Sequence, residues 1–532
     1  MLFKEGKEFK TFAADELREH DVKHSRDFSE ILKNDYILRD NTRRGVLITG
    51  LRSTGKSSGV YQAVLDFPSD NIFFLSATSR EENITKKDVL EKLKKKEYDL
   101  IFIDEYSWLK DRKDEPDLLA QYLAGKAGEG IKVIISGTDS AKIHSLLNTD
   151  FIHRAVQLNT TYISYGEYCR LFDLEQNDAS MKEFLTCGGI FENHAYKTYG
   201  SMKDYIKTAI IENLGSYYPQ YDKELIEAAV YKIFYECICK SYNKSAETIP
   251  VYNYYGKNNR LAYEDYLENF GIHSDIEIKP VILKEIFNKL QEIGVVIILD
   301  DIYLKNRERA YITNQTISAQ LTKCIYELDE LPESFIGNLF EASVVCNEYM
   351  QYAFDTKSPF KLYYAETRKS DLEIDFILCD KRKAYLFECK LNDNDDIKLN
   401  DTASILQDRV RNLLGDRELA GRYIIYQGKE KCLEQQGCTI ICTNNWNIDF
   451  ENFDKHVERL KGVDKNNDNI NKPKGSSDKI SSNTEELINS LSDFAKEAKK
   501  NVSEIIALEK ARVSSSFELI LKDKNRNLGL SR

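Results

Sequence analysis

An apolar run, Val46-Leu47-Ile48-Thr49, leads directly into Gly50-Leu51-Arg52-Ser53-Thr54-Gly55-Lys56-Ser57. This spacing leaves few folds open, because a strand has to enter such a loop and a helix has to leave it. The glycines let the backbone curl until its N–H groups point inward at phosphate oxygens. Lys56 is set to reach the terminal phosphates and the Ser57 hydroxyl to ligate Mg²⁺, while the helix N-terminus adds a favourable field for the anion. The expected ligand is ATP, bound through Gly50, Arg52, Ser53, Thr54, Gly55, Lys56, Ser57 and Ser58, and the expected activity is ATP hydrolysis.

A second half of the site has to lie across the sheet. The apolar strand Leu100-Ile101-Phe102-Ile103 ends in Asp104-Glu105. Asp104 is expected to hold the Mg²⁺ through water, and Glu105 to orient and polarise the attacking water. Strands at 46–49, 71–77, 100–103 and 133–135 alternate with helical stretches that begin at Lys56, carry Val89, Leu90 and Leu93, and cover 116–125. That rhythm predicts an α/β fold, a parallel sheet with helices on both faces.

Six regions are expected along the 532 residues. Residues 1–35 form an N-terminal helical segment and 36–160 the ATP-binding domain. Residues 161–330 form a helical and winged-helix-like domain, in which Pro280 opens a helix with an apolar stripe, Gly294 stops it, and two strands follow around Lys305-Asn306-Arg307-Glu308-Arg309. Such a helix and ribbon serve either as a packing module or as a DNA reader. Residues 331–460 form an α/β domain with a helix at 336–352 and strands at 361–367, 372–379, 384–391, 422–427 and 439–443. A polar linker spans 461–483. Residues 484–532 form a helix whose stripe, Leu487 to Ile505, offers a surface for docking on the body, for a protein partner or for self-association.

Strict alternation along Leu372 to Leu378 puts Ile374, Phe376 and Leu378 on one face, and Asp375 with Glu373 on the other. On the next strand Phe387 and Cys389 turn inward, and Glu388 and Lys390 turn the other way. Two carboxylates and a lysine can therefore converge, with Glu341 available from the preceding helix.

The net charge of −12 argues against non-specific nucleic-acid binding by the whole surface, though a local basic groove stays open. Eleven cysteines are scattered without a disulfide or zinc rhythm, and they read as reduced thiols. The N-terminal MLFKEGKEFKTF carries no apolar run for export, and no stretch approaches a membrane span. The expectation is a soluble, cytoplasmic protein.

Beyond the phosphate loop, the chain resembles AAA+ ATPases, and in particular bacterial and archaeal members with an extended C-terminal half. Arg52 matches a Gly-x-Arg pattern, and Ile135-Ser136-Gly137-Thr138 a strand end whose small polar residue lies beside the γ-phosphate. Phe151-Ile152-His153-Arg154 resembles a Gly-Arg step, with His153 in place of the glycine. Ile163-Ser164-Tyr165-Gly166-Glu167-Tyr168, Cys187-Gly188-Gly189-Ile190 (lacking the proline) and Gly337-Asn338-Leu339-Phe340-Glu341 match three further landmarks. The resemblance spans about residues 35–450. It implies a γ-phosphate contact for Thr138, and it nominates Arg154 to sense or finger that phosphate, against the plainer reading of a surface or salt-bridged arginine. Asp375 followed thirteen residues later by Glu388-Cys389-Lys390 resembles the PD-(D/E)xK nucleases, a restriction-endonuclease-like fold that this subgroup often carries. By that resemblance Asp375 and Glu388 hold Mg²⁺ or Mn²⁺, Lys390 positions the hydrolytic water, and Glu341 is an outer ligand. The implied function is an ATPase coupled to a nuclease-like domain that cuts or binds DNA. The other reading is a nucleotide-switched protein-interaction module in which the nuclease fold is an inactive scaffold.

Overall fold

The computed structural model describes residues 2–470, apart from 41–42, 78–83, 111–115, 191–198, 239–241, 244–265, 269, 273–275, 304–306, 326–327, 354–357, 368–371, 392–402, 407–408, 447 and 449–451. The helix expected at 484–532 lies outside the described residues.

Five short strands, β2 (Gly45–Thr49), β3 (Ile72–Ser76), β4 (Leu100–Asp104), β5 (Lys132–Ser136) and β6 (Ala155–Asn159), form a parallel sheet in the order β3-β4-β5-β2-β6. The first three are buried at every residue. Such strands read as continuous apolar runs because both faces are covered. Alternate residues Leu47, Phe73, Ile101 and Ile135 pack under α4 (Lys86–Leu93), α5 (Leu118–Gly128) and α6 (Ser140–Asn148). Val46, Ile48, Phe74 and Phe102 pack under α1 (Gly6–Glu19) and α3 (Lys56–Leu65).

The segment expected to be a separate N-terminal helical region is part of this domain. β1 (Leu2–Glu5) adds to the sheet edge antiparallel to β3, with Leu2 opposite Ser76. Phe9 of α1 stacks on Phe74 with ring centroids 4.4 Å apart, and α2 (Asp27–Ile31) lies against α3. Aromatic burial of this kind outweighs the high local charge that made 1–35 read as a peripheral helix.

A helical layer follows: α7 (Tyr165–Leu171), α8 (Asp178–Cys187), α9 (Tyr199–Ile206), α10 (Glu212–Tyr217), α11 (Lys223–Ile238), α12 (Pro280–Glu292) and α13 (Gln315–Ile325). α12 begins at Pro280 and is followed by Gly294 at φ +76°, as its sequence requires.

The strands after α12 are not a free-standing wing. The short β7 (Tyr242–Asn243), β8 (Val296–Asp301) and β9 (Arg307–Ile312) join β10 (Lys361–Thr367), β11 (Leu372–Cys379), β12 (Lys383–Lys390), β13 (Glu418–Tyr426), β14 (Lys431–Gln435) and β15 (Cys438–Thr443) in one nine-stranded sheet, ordered β14-β15-β13-β12-β11-β10-β8-β9-β7. β8 and β10 meet in parallel through Tyr363↔Asp300 and Tyr364↔Asp301. The boundary expected near residue 330 is therefore crossed by the sheet. α14 (Glu333–Glu348) covers one face, and α15 (Ala403–Leu406) with α16 (Arg409–Leu413) the other. Phe376, Phe387 and Tyr423 stack across three strands at 4.4 and 5.0 Å. α17 (Phe453–Ile470) runs into the segment expected to be linker, so 462–470 is helical. Extending an existing helix adds one hydrogen bond per residue fixed, which a polar sequence does not prevent.

Candidate functional site

The loop after β2 has the backbone that its glycines foretell. Gly50 lies at φ +147°, and a Cβ there would sit 2.2 Å from the Thr160 hydroxyl oxygen. Gly55 lies at +74°, and Ser53 also takes the left-handed region at +60°. Lys56 is 6% exposed, and its Nζ donates to the carbonyls of Gly50 (3.0 Å) and Leu51 (2.7 Å). Burial lowers its ammonium pKa, and the charges of Glu105 and Asp104 oppose that. The Ser57 hydroxyl donates to Asp104 Oδ2 at 2.9 Å, and the Ser136 hydroxyl donates to Oδ1. Glu105 sits at φ +53° and accepts from the Thr138 N–H (3.1 Å) and hydroxyl (3.0 Å). Burial raises its carboxyl pKa, and Asp104 raises it further. A non-glycine residue in that region is strained, which is common where chemistry is positioned.

Lys56, Ser57, Asp104, Glu105 and Thr138 thus converge at the C-terminal ends of β2, β4 and β5. Arg52 has an exposed side chain, and its carbonyl accepts from Tyr205 of α9 at 2.8 Å. Thr54 is fully buried and braces the loop through Leu51 O and the Thr160 hydroxyl, each at 2.8 Å. Ser58 lies in the first turn of α3. Arg154 is elsewhere. It precedes β6, whose Ala155 aligns with Gly45 at the opposite end of β2 from the loop, and it is exposed. At about 3.3 Å per residue the five-residue strand separates Arg154 from its own loop by roughly 16 Å. It therefore does not reach a nucleotide in its own chain. His153 adopts φ +60°, the glycine-favouring conformation expected of the residue it replaces.

Sequence reasoning missed Arg26. It is 4% exposed, and its guanidinium donates to Glu167 (2.5 and 3.2 Å), to Tyr162 O (2.9 Å) and to Thr54 O within the loop. Glu167 belongs to a segment whose pattern stood out, but nothing in the charged N-terminus marks Arg26 as its partner.

The second cluster sits where β11 and β12 part. Tyr363 pairs with Ile377 and Ala365 with Ile374, so β11 carries one extra residue, and the bulge falls at Asp375-Phe376. The bulge breaks the alternation expected along this strand: Phe376 and Leu378 lie in the core under α14, whereas Ile374 and Ile377 lie in the opposite core. Asp375 is 7% exposed and accepts from the Cys389 N–H at 2.7 Å. Burial, and then Glu341, push its carboxyl up to about 7. Glu388 is 3% exposed, takes Lys390 Nζ at 3.3 Å on Oε2, and leaves Oε1 buried without a hydrogen bond. Burial, and then Asp375, hold it well above the ordinary carboxyl range. Glu341, close enough to act on both carboxyls, accepts on its Oε1 from Arg309 at 3.3 Å and from the Tyr311 hydroxyl at 3.2 Å. Arg309 also reaches Glu373 (3.2 Å) and Glu366 (3.4 Å). Among the described residues no three His, Cys, Asp or Glu side chains form a ready metal cage. Arg309 and Tyr311 both lie on β9, although the sequence pattern puts Arg309 in the charged turn before a strand begun at Ala310.

A cavity of about 620 Å³ lies apart from both clusters, between α12, β8 and β10, with Phe287, Asp300, Glu308 and Tyr349 in its walls. The ten described cysteines are free. No helix among the described residues is long and apolar enough to cross a membrane.

Residues 42–169 match the AAA domain family, and residues 336–446 match a domain of unknown function, DUF4143. The chain therefore carries an AAA-type P-loop ATPase domain, and strands β2 to β6 lie within the matched residues. No curated protein matches the chain in sequence. Solved structures with some likeness include Orc1 of Aeropyrum pernix in complex with DNA (11% identity, 59% of this chain and 92% of that one, TM-score 0.23). AMPPCP-bound DnaA of Aquifex aeolicus matches at 13% (50% and 86%, 0.26), and RuvB of Thermotoga maritima at 15% (57% and 92%, 0.25).

Proposed function

We propose that ATP binding and hydrolysis at Lys56, Ser57, Asp104 and Glu105 is coupled to a metal-dependent, nuclease-like C-terminal domain that acts on or binds DNA. The observation that carries this reading is the buried Glu388 Oε1, which has no hydrogen bond and lies beside Asp375 and Lys390. A buried carboxylate oxygen without a donor is costly, and a divalent cation would satisfy it. Asp375 and Glu388 would hold Mg²⁺ or Mn²⁺, which would supply Lewis acidity and an activated water, and Lys390 would orient that water. At the nucleotide site, Ser57 and Asp104 offer the hard oxygen set that Mg²⁺ prefers, and Glu105 holds the position of a general base once Thr138 releases it.

The test is incubation of the full chain with plasmid and Mg²⁺ or Mn²⁺, with and without ATP, beside Asp375→Ala and Lys56→Ala. Metal-dependent nicking that Asp375→Ala abolishes is the expected result. One observation favours a second reading, a nucleotide-switched interaction module on an inactive nuclease fold: Arg309 and Tyr311 both already bind Glu341 Oε1, beside the carboxylate pair. Intact plasmid under every condition, with ATP turnover preserved, would select it.

A further inference from the structure

β9 belongs to two cores at once. Ala310 and Ile312 pack into the helical layer with Met202, Tyr205 and Phe234. Tyr311 packs into the C-terminal core with Phe340 and Phe376. β8 divides in the same way, with Val296 in the first core and Ile297 and Leu299 in the second. The helical-layer core also contains Leu51 of the phosphate loop, and Tyr205 donates to Arg52 O there. On the other side of the ribbon Arg309, 4% exposed, holds Glu341, Glu366 and Glu373, and its guanidinium lies 4.7 Å from the Tyr364 ring centroid. One strand thus links the nucleotide loop, through packed side chains, to the carboxylate cluster. Close-packed interiors pass displacement on rather than absorb it.

We infer that the β8–β9 ribbon transmits nucleotide state to the carboxylate cluster, and that Arg309 is the positioning residue that sets where Glu341 lies relative to Asp375 and Glu388. The inference rests on the metal-site reading above for its purpose, but not for its test. Coupling of this kind requires that nucleotide favour one arrangement of the ribbon over another.

Amide hydrogen exchange on the full chain, with and without a non-hydrolysable ATP analogue and Mg²⁺, reads the ribbon directly. In the wild type, exchange over Arg307–Ile312 and Glu333–Glu348 should change by about five-fold or more, the low end of ordinary coupling. Lys56→Ala should show no change at either. Arg309→Lys keeps the charge but loses the fork, and Tyr311→Phe removes one hydroxyl at nearly constant volume. Both should respond at Arg307–Ile312 and fall silent at Glu333–Glu348. A wild type unmoved at Arg307–Ile312, or variants whose Glu333–Glu348 response is intact, would overturn the inference. Calorimetry with Mn²⁺ separates the two claims: no binding at the Asp375–Glu388 pair sinks the metal reading and leaves the exchange result standing.

Discussion

The two clusters are built in opposite ways. At the nucleotide site one bent loop and the ends of two neighbouring strands gather the groups, and the charges already have partners: Lys56 rests on two carbonyls and Asp104 accepts two hydroxyls. In the C-terminal cluster the groups are side chains from β9, β11, β12 and α14, and one carboxylate oxygen has no donor. A loop bent around phosphates has to be contiguous in sequence, whereas charged side chains can be gathered from anywhere. The charges of the first site are paired within the chain, and the second holds repulsion that a cation or a proton relieves.

The largest effect that would break this contrast is at Lys56. Lys56→Ala should lower ATP turnover by at least about 10²-fold, as loss of one transition-state donor does, and should remove detectable nucleotide binding. Glu105→Gln should bind nucleotide normally and turn over about 10²–10⁴-fold more slowly. Phosphate release and nucleotide titration measure both, and wild-type rates in either variant would end the assignment.

Next comes the brace behind the loop. Arg26→Met leaves Glu167 charged and buried without its partner, so unfolding free energy should fall by about 3–5 kcal/mol. Urea unfolding measures this, and Arg154→Ala, at an exposed position, is the control that should change it by no more than about 0.5 kcal/mol.

The smallest effect sharpens the comparison most. Asp375 and Glu388 have folded pKa values above their unfolded ones, so the pair is compatible with the fold at acid pH. Stability is lost as pH climbs from the ordinary carboxylate range through about 7, because the folded state has to release protons it retains. At pH 8 without metal, Glu388→Gln should therefore melt a few degrees above the wild type, and at pH 4 the two should converge. Added Mn²⁺ should raise the wild type and leave Glu388→Gln unmoved, reversing their order. Scanning calorimetry at the two pH values gives the answer, and curves that stay parallel would show that the pair carries no such repulsion.

Much of the N-terminal sheet was legible because parallel strands buried on both faces are continuous apolar runs, and Leu100–Asp104 could hardly be read otherwise. β10 and β11 were legible to the residue, since apolar alternation and turn residues bound them. The parting of Ile374 from Phe376 and Leu378 onto opposite faces was not, because a period of two has no way to announce an extra residue. Arg26 stayed hidden because its partners at Thr54, Tyr162 and Glu167 are far away in sequence, and its own neighbours are as charged as it is. β6 was missed because its alternation, Ala-Val-Gln-Leu-Asn, is half polar at a sheet edge where all five residues are only partly buried.

The joint between β8 and β10 decides how this protein can be taken apart. Two residue pairs and the Ile302 N–H to Tyr364 O bond close the nine-stranded sheet there and cover the edge of β10. A fragment begun at residue 331, where composition invites a cut, would lose β7, β8 and β9 together. It would present a bare strand edge flanked by Tyr363 and Tyr364, the kind of surface that recruits other chains. Such a fragment should aggregate, and one begun before Pro280 should fare better because it brings its own cover.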